Sequence, residues 1–156
     1  MNHTNTVHAF IDQEELLTAL CTEVGERLTA ALEARGSATL AVSGGATPKP
    51  LFQRLNKLKL DWDKVHITLV DERWVDEANA ASNAALVRRT LLKGKATEAT
   101  FLGLKSLASS SRERVQLAEQ RLRQLELPFD LVLLGMGQDG HFASLFPGMP
   151  GLERAL

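Results

Sequence analysis

An apolar run that stops at a cluster of glycines constrains this chain more than any other stretch. Leu131-Val132-Leu133-Leu134 has the length and bulk of a buried parallel strand. Gly135, Gly137 and Gly140 follow at once, and they let the backbone turn sharply while leaving amides uncovered for a ligand. Asp139 and His141 belong to the same turn. A strand end carrying both, with bare amides, suits proton transfer on a small polar substrate. Gly135 to Gly140 also spells G-x-G-x-x-G, the phosphate turn of a dinucleotide site. That fingerprint needs a helix opening at its last glycine and an acidic residue ~20 positions on. Pro147 and Gly148 interrupt first, and the dinucleotide reading is set aside.

The earlier chain alternates helices, strands and polar turns without an internal repeat. Asp12 is placed to cap a first helix with Glu15 in the capping-box position. Leu16, Leu20, Val24, Leu28 and Leu32 give that helix an apolar stripe ending near Gly36. Thr39 to Val42 reads as a short buried strand running into Ser43-Gly44-Gly45-Ala46-Thr47-Pro48. Thr47 is expected to cap the next helix, with Pro48 in its first position and Leu51, Phe52 and Leu55 facing inward. Val65 to Val70 is the next strand, with Asp71-Glu72-Arg73-Trp74 at its end. Ser82 is expected to cap a helix through Leu92 that buries Leu86 and Leu91. Phe101 to Leu104 is a further short strand. Arg112 to Glu126 is an amphipathic surface helix directing Val115, Leu122 and Leu125 inward, and Pro128 ends it. Strands alternating with helices imply a parallel sheet with helical crossovers. All three polar clusters then lie at carboxyl ends of strands, where open parallel sheets bind ligands. The pattern predicts one composite cleft.

Composition narrows what that cleft serves. The 156 residues are most simply one domain spanning 1–156. A formal net charge of -1 offers no basic field for nucleic acid, and 5% aromatic residues without tyrosine offer no stacking surface for single strands. No apolar run approaches the ~18 residues of a membrane span. Cys21 is the only cysteine, which excludes an internal disulfide and a thiolate metal cluster and fits a reducing cytoplasm. Met1 to Thr6 lacks the basic-then-apolar pattern of a secretory signal, so a cytoplasmic location is expected.

Each motif has a plainer alternative. The Ser43–Thr47 turn supplies glycine amides and a helix start suited to phosphate; it is equally a strand-to-helix turn that binds nothing. Asp71-Glu72-Arg73 is either a salt-bridged strand end or the source of a fixed donor, Arg73, for a phosphate or carbonyl oxygen. Trp74 reads as a core or wall residue and His66 as a structural histidine within a strand. His3 and His8 lie near the terminus and carry no argument. His141 and Asp139 alone do not make a metal site.

Three motifs together carry a family resemblance. Ser43-Gly44-Gly45-Ala46-Thr47-Pro48, Asp71-Glu72-Arg73-Trp74-Val75 with Ser82-Asn83 beyond, and Gly135 through Pro147 resemble the 6-phosphogluconolactonases in order, spacing and placement. The similarity runs from about Phe10 to the last residue. The related glucosamine-6-phosphate deaminases share Gly-x-Gly-x-Asp-Gly-His but continue Ala-Phe-Asn-Glu-Pro; this chain continues Ala143-Ser144-Leu145-Phe146-Pro147. Phe142 stands where these lactonases usually carry threonine or a small aliphatic residue. Asp76-Glu77-Ala78-Asn79 replaces a segment that usually contains proline.

The resemblance implies a Rossmann-like α/β fold, mostly parallel with helices on both faces, and hydrolysis of 6-phospho-D-glucono-1,5-lactone without metal or organic cofactor. It implies His141 as general base, an imidazole's ordinary pKa of ~6.5 being near working pH. Asp139 orients it or structures the loop. Arg73 and backbone amides near Gly137 stabilise the oxyanion. Ser43, Gly44, Gly45 and Thr47 hold the phosphate, with Arg73 as a second contact and Asp71 in the substrate site. Family members are longer, and Pro150 to Leu156 reads as the opening of another helix. The resemblance therefore implies a missing C-terminal portion, an open strand edge, self-association through it, and weak activity or none; the alternatives are a deaminase- or isomerase-like sugar-phosphate enzyme and an inactive sugar-phosphate-binding fragment.

Overall fold

The computed structural model describes residues 6–156; His3 and the rest of the terminal reading over 1–5 lie outside the described residues. The elements are α1 (Gln13–Arg35), β1 (Ala38–Val42), α2 (Lys49–Leu55), β2 (Val65–Leu69), α3 (Asn83–Thr90), β3 (Thr100–Leu102), α4 (Ser111–Leu122), β4 (Leu131–Leu133) and α5 (Leu152–Ala155). The strands form one parallel sheet in the order β3-β2-β1-β4.

α1 begins and ends as its sequence dictates. The Asp12 side chain accepts from the Glu15 amide at 2.9 Å, and Glu15 reaches back to the Ile11 amide at 2.8 Å. At the other end Gly36 adopts φ 78, where only glycine is unstrained, and its amide donates to the Leu32 carbonyl. The buried stripe differs from the expected one: it is Leu17, Val24, Leu28 and Ala31, while Leu16, Leu20 and Leu32 are half-buried. A strict four-residue recurrence drifts by about 40° per step on a helix of 3.6 residues per turn, so no straight face can follow it.

The core lies on one face of the sheet. Ala38, Leu40 and Val42 of β1 and Val65, Ile67 and Leu69 of β2 alternate toward it, meeting Leu51, Phe52 and Leu55 of α2, Val87 of α3, and Trp62. The walk from β1 to β2 to β3 keeps one direction. The return from β3 to β4 crosses back over the sheet, and right-handed crossovers put α4 on the opposite face. That face is lined by buried Thr39, Ala41 and Thr68. Thr68 donates to the Leu102 carbonyl at 2.8 Å. Thr39 meets Asp130, whose carboxylate accepts from the Thr39 amide at 2.7 Å and hydroxyl at 3.0 Å, and also pairs with Arg35. These contacts tie the start of β4 to β1. Among the described residues no helix is long and apolar enough to cross a membrane.

Four further expectations need correction. α2 opens at Lys49 with Pro48, not Thr47, in the cap position and no side-chain cap bond; Thr47 is left exposed at the turn. Ser82 does cap α3, but the helix stops at Thr90, with Leu91 buried beyond it and Leu86 only half-buried. α4 ends at Leu122, and Val115 is 57% exposed. Its inward side is Arg114, Ala118, Arg121 and Leu122, whose arginines donate to the carbonyls of Ala108 and Gly103 and cover the loop with their aliphatic stems. Finally, β4 is not a fully buried strand. Among the described residues it pairs only with β1, at the sheet edge, where Val132 is 42% and Leu134 53% exposed.

Candidate active site

β1 is the point at which the chain, having built outward to β2 and β3, turns to add β4 on the other side. Such a switch point opens a crevice at the carboxyl ends of the strands. A cleft of about 220 Å³ lies there. Ser43, Gly44, Gly45 and Thr47 line it from the β1 turn, Asp71 and Arg73 from the β2 end, and Gly135, Gly137 and His141 from the β4 turn. Of the expected site residues only Asp139 stands outside this lining, in contact with His141 from behind.

His141 is held on three sides. Its Nδ1 lies 2.6 Å from Asp139 Oδ1, which also accepts from the His141 amide at 3.2 Å. The hydrogen bond to His141, with the amide bond added, keeps the Asp139 carboxyl below the usual carboxylate range. Phe146 stacks on the ring with centroids 4.4 Å apart and planes 25° from parallel. Phe142 is not the stacking partner. Gly137 closes the third side: a Cβ there would overlap the imidazole. With Nδ1 engaged by a carboxylate, Nε2 is the nitrogen left to accept a proton from the cleft.

The β1 turn is open where a ligand needs it. Gly45 adopts φ 98, and the amides of Gly44 and Gly45 donate to no acceptor among the described residues. Ser43, expected at the phosphate, lines the cleft with its hydroxyl already engaged within the protein. Its hydroxyl donates to the Leu133 carbonyl at 3.0 Å and accepts from the Gly135 amide at 3.2 Å, which clamps the β1 turn to the β4 turn. Of the backbone amides near Gly137, that of Gly137 itself donates to the His141 carbonyl at 2.8 Å. Its contribution is the shape of the loop.

Asp71-Glu72-Arg73 divides its tasks. Glu72 forms no salt bridge among the described residues; its carboxylate accepts from the amides of Asn83 at 2.8 Å and Ala84 at 2.9 Å and so caps the positive end of α3. Asp71 accepts from the Ser144 hydroxyl at 2.8 Å and from the Asn83 side chain at 3.2 Å. Arg73 forms no salt bridge among the described residues and lines the cleft, where a guanidinium can donate to an anion. Trp74 sits beneath Arg114, whose guanidinium carbon is 5.7 Å from the ring centre. No group of three His, Cys, Asp or Glu with metal-holding geometry occurs among the described residues.

Sequence reasoning named Glu72, Asn83, Ser144 and Phe146 without giving any of them its observed part. Asn83 and Ser144 reach Asp71 across 12 and 73 positions respectively. Only Phe146, five positions past His141, had a local signal.

Residues 11–155 match the family described as glucosamine-6-phosphate isomerases/6-phosphogluconolactonase. A 6-phosphogluconolactonase of Pseudomonas aeruginosa is 49% identical over 91% of this chain and 60% of its own length. One from Rhizobium meliloti is 49% identical over 96% and 65%. The crystal structure of a 6-phosphogluconolactonase from Shewanella baltica superposes with a TM-score of 0.93 at 43% identity, covering 100% of this chain and 67% of that one. The chain thus spans 60–65% of the length of these two curated relatives. With three strand-end turns meeting at one cleft and residues 11–155 matching its model, the chain belongs to the glucosamine-6-phosphate isomerase/6-phosphogluconolactonase family.

Proposed function

We propose that this chain carries the hydrolytic cleft of a 6-phosphogluconolactonase, acting on 6-phospho-D-glucono-1,5-lactone in the cytoplasm. The observation that carries the reading is the pairing of His141 Nδ1 with Asp139 at 2.6 Å, in a cleft whose far wall offers the Gly44 and Gly45 amides. His141 Nε2 takes a proton from water, and the hydroxide adds to lactone C1. Arg73 stabilises the alkoxide that develops on the carbonyl oxygen. Collapse of the tetrahedral intermediate breaks the bond from C1 to the ring oxygen, which takes the proton back from His141. The product is the open-chain acid. Asp139 keeps the imidazole in one tautomer through both transfers. Gly44, Gly45 and Thr47 receive the phosphate, and no covalent nucleophile, metal or organic cofactor enters the scheme. Asp71, held by Ser144 and Asn83, offers the sugar hydroxyls an acceptor.

The glutamate of the deaminase motif has no counterpart after Ala143, which favours lactone hydrolysis over deamination. The test is to assay the full-length protein on both substrates, with spontaneous lactone hydrolysis subtracted. Lactone turnover is expected, glucosamine-6-phosphate turnover is not, and His141→Ala is expected to lower the hydrolytic rate by ~10²–10⁴. Deaminase activity, or a folded His141→Ala protein of native rate, would refute the reading.

A further inference from the structure

Asn83 joins two walls of the cleft from behind. Its backbone is fixed at the first position of α3, because Ser82 caps the helix through the Ala85 amide at 3.1 Å and Glu72 accepts from the Asn83 amide itself. The residue is only 2% exposed. Its side-chain nitrogen donates to the Asp71 carbonyl at 3.0 Å and to Asp71 Oδ1 at 3.2 Å. Both partners are acceptors, so the NH₂ end of the amide must face them. The oxygen end then faces Gly44, where a Cβ would overlap it. Gly44 does not have the left-handed φ that would itself require glycine. The bulk excluded there is excluded by Asn83. Asp71 in turn accepts from Ser144, three positions past His141.

We propose that Asn83 is a positioning residue: it sets the Gly44–Gly45 turn against Asp71 and thereby fixes the phosphate end of the cleft relative to the catalytic end. The inference deepens the lactonase reading and rests on it for the identity of the substrate. Asn83 touches neither His141 nor Asp139, so its loss acts on binding. In the full-length protein Asn83→Ala should raise KM about ten- to a hundredfold, the effect of one mis-set charge-assisted hydrogen bond, with kcat within about threefold of native. The inhibition constant of inorganic phosphate should rise in parallel. Gly44→Ala should raise KM by pushing on the Asn83 amide. It should cost markedly less in the Asn83→Ala background, where the methyl group meets vacated space.

A residue that merely supports the fold would lower the unfolding midpoint and leave KM and the phosphate constant of the folded protein unchanged, and that result would overturn the proposal. So would a fall in kcat at constant KM, or additive costs in the double variant. If Asn83→Ala fails to fold, Gly44→Ala alone decides, and native KM there would overturn it. Absence of lactone turnover in the native protein would refute the lactonase reading. Phosphate binding, followed by calorimetry, would still report whether Asn83 sets the turn.

Discussion

Gly137→Ala isolates the placement of the His141 ring from every other feature of the cleft. Gly137 is outside the left-handed region, so alanine meets no backbone penalty. Its Cβ would instead overlap ring atoms of His141 and come within 2.7 Å of Asp139 Oδ1. The ring must swing or the loop must shift. Either movement breaks the 2.6 Å contact with Asp139 and the 4.4 Å stack on Phe146. A displacement of ~1 Å at a reacting group costs about 10²-fold in rate, or ~2.7 kcal/mol of barrier. Complete loss of the base sets the ceiling at ~10⁴-fold. Binding should be nearly unaffected, because the Gly44–Gly45 turn belongs to another strand. Stability should fall by less than about 1 kcal/mol, since the loop contributes little to the core. Steady-state lactone hydrolysis, corrected for spontaneous opening, separates kcat from KM, and thermal unfolding controls for the fold. A Gly137→Ala protein within threefold of native kcat would refute the argument that glycine is required to seat the base.

The other two predictions concern stability. Burial raises the Asp130 pKa, but hydrogen bonds from Arg35 and Thr39 outweigh it and hold the carboxyl below its ordinary value. Its contribution is therefore full above the unfolded-state value of ~3.9 and is lost as pH falls through the lower folded value. Asp130→Asn should cost about 1–3 kcal/mol near neutrality, mostly through Thr39 because Arg35 is half-exposed, and the difference should vanish in acid. Urea unfolding from pH 7 down to as far below pH 3 as the protein stays folded checks this, and parallel pH curves for the two proteins would contradict it. Glu72→Ala should cost about 1–2 kcal/mol by leaving the first α3 amides without their carboxylate. An unchanged urea midpoint would show that Ser82 alone holds that helix end.

Local chemistry made much of this molecule readable in advance. The cap at Asp12, the stop at Gly36, the three strand-end turns and the two-residue spacing of Asp139 and His141 are all settled by neighbours in sequence. What stayed hidden depends on distant partners. Ser43 and Gly137 look like ligand contacts because their groups are polar and uncovered in sequence. Their partners, the Leu133 carbonyl and Gly135 amide for Ser43, the His141 carbonyl for Gly137, are set by how the turns meet. Glu72 and Asn83 were legible as polar residues near a strand end and a helix start; that one caps the other's helix follows only from the packing of α3 beside β2.

In the proposed mechanism one cleft receives phosphate at the β1 turn and presents the lactone carbon to His141. The most direct measurement is a crystal structure of the full-length protein with 6-phosphogluconate. Phosphate oxygens are expected within hydrogen-bonding distance of the Gly44 and Gly45 amides. The C1 carboxylate is expected beside Arg73, within reach of His141 Nε2 directly or through one water. Phosphate bound elsewhere with the Gly44–Gly45 turn empty, or C1 remote from His141, would contradict it.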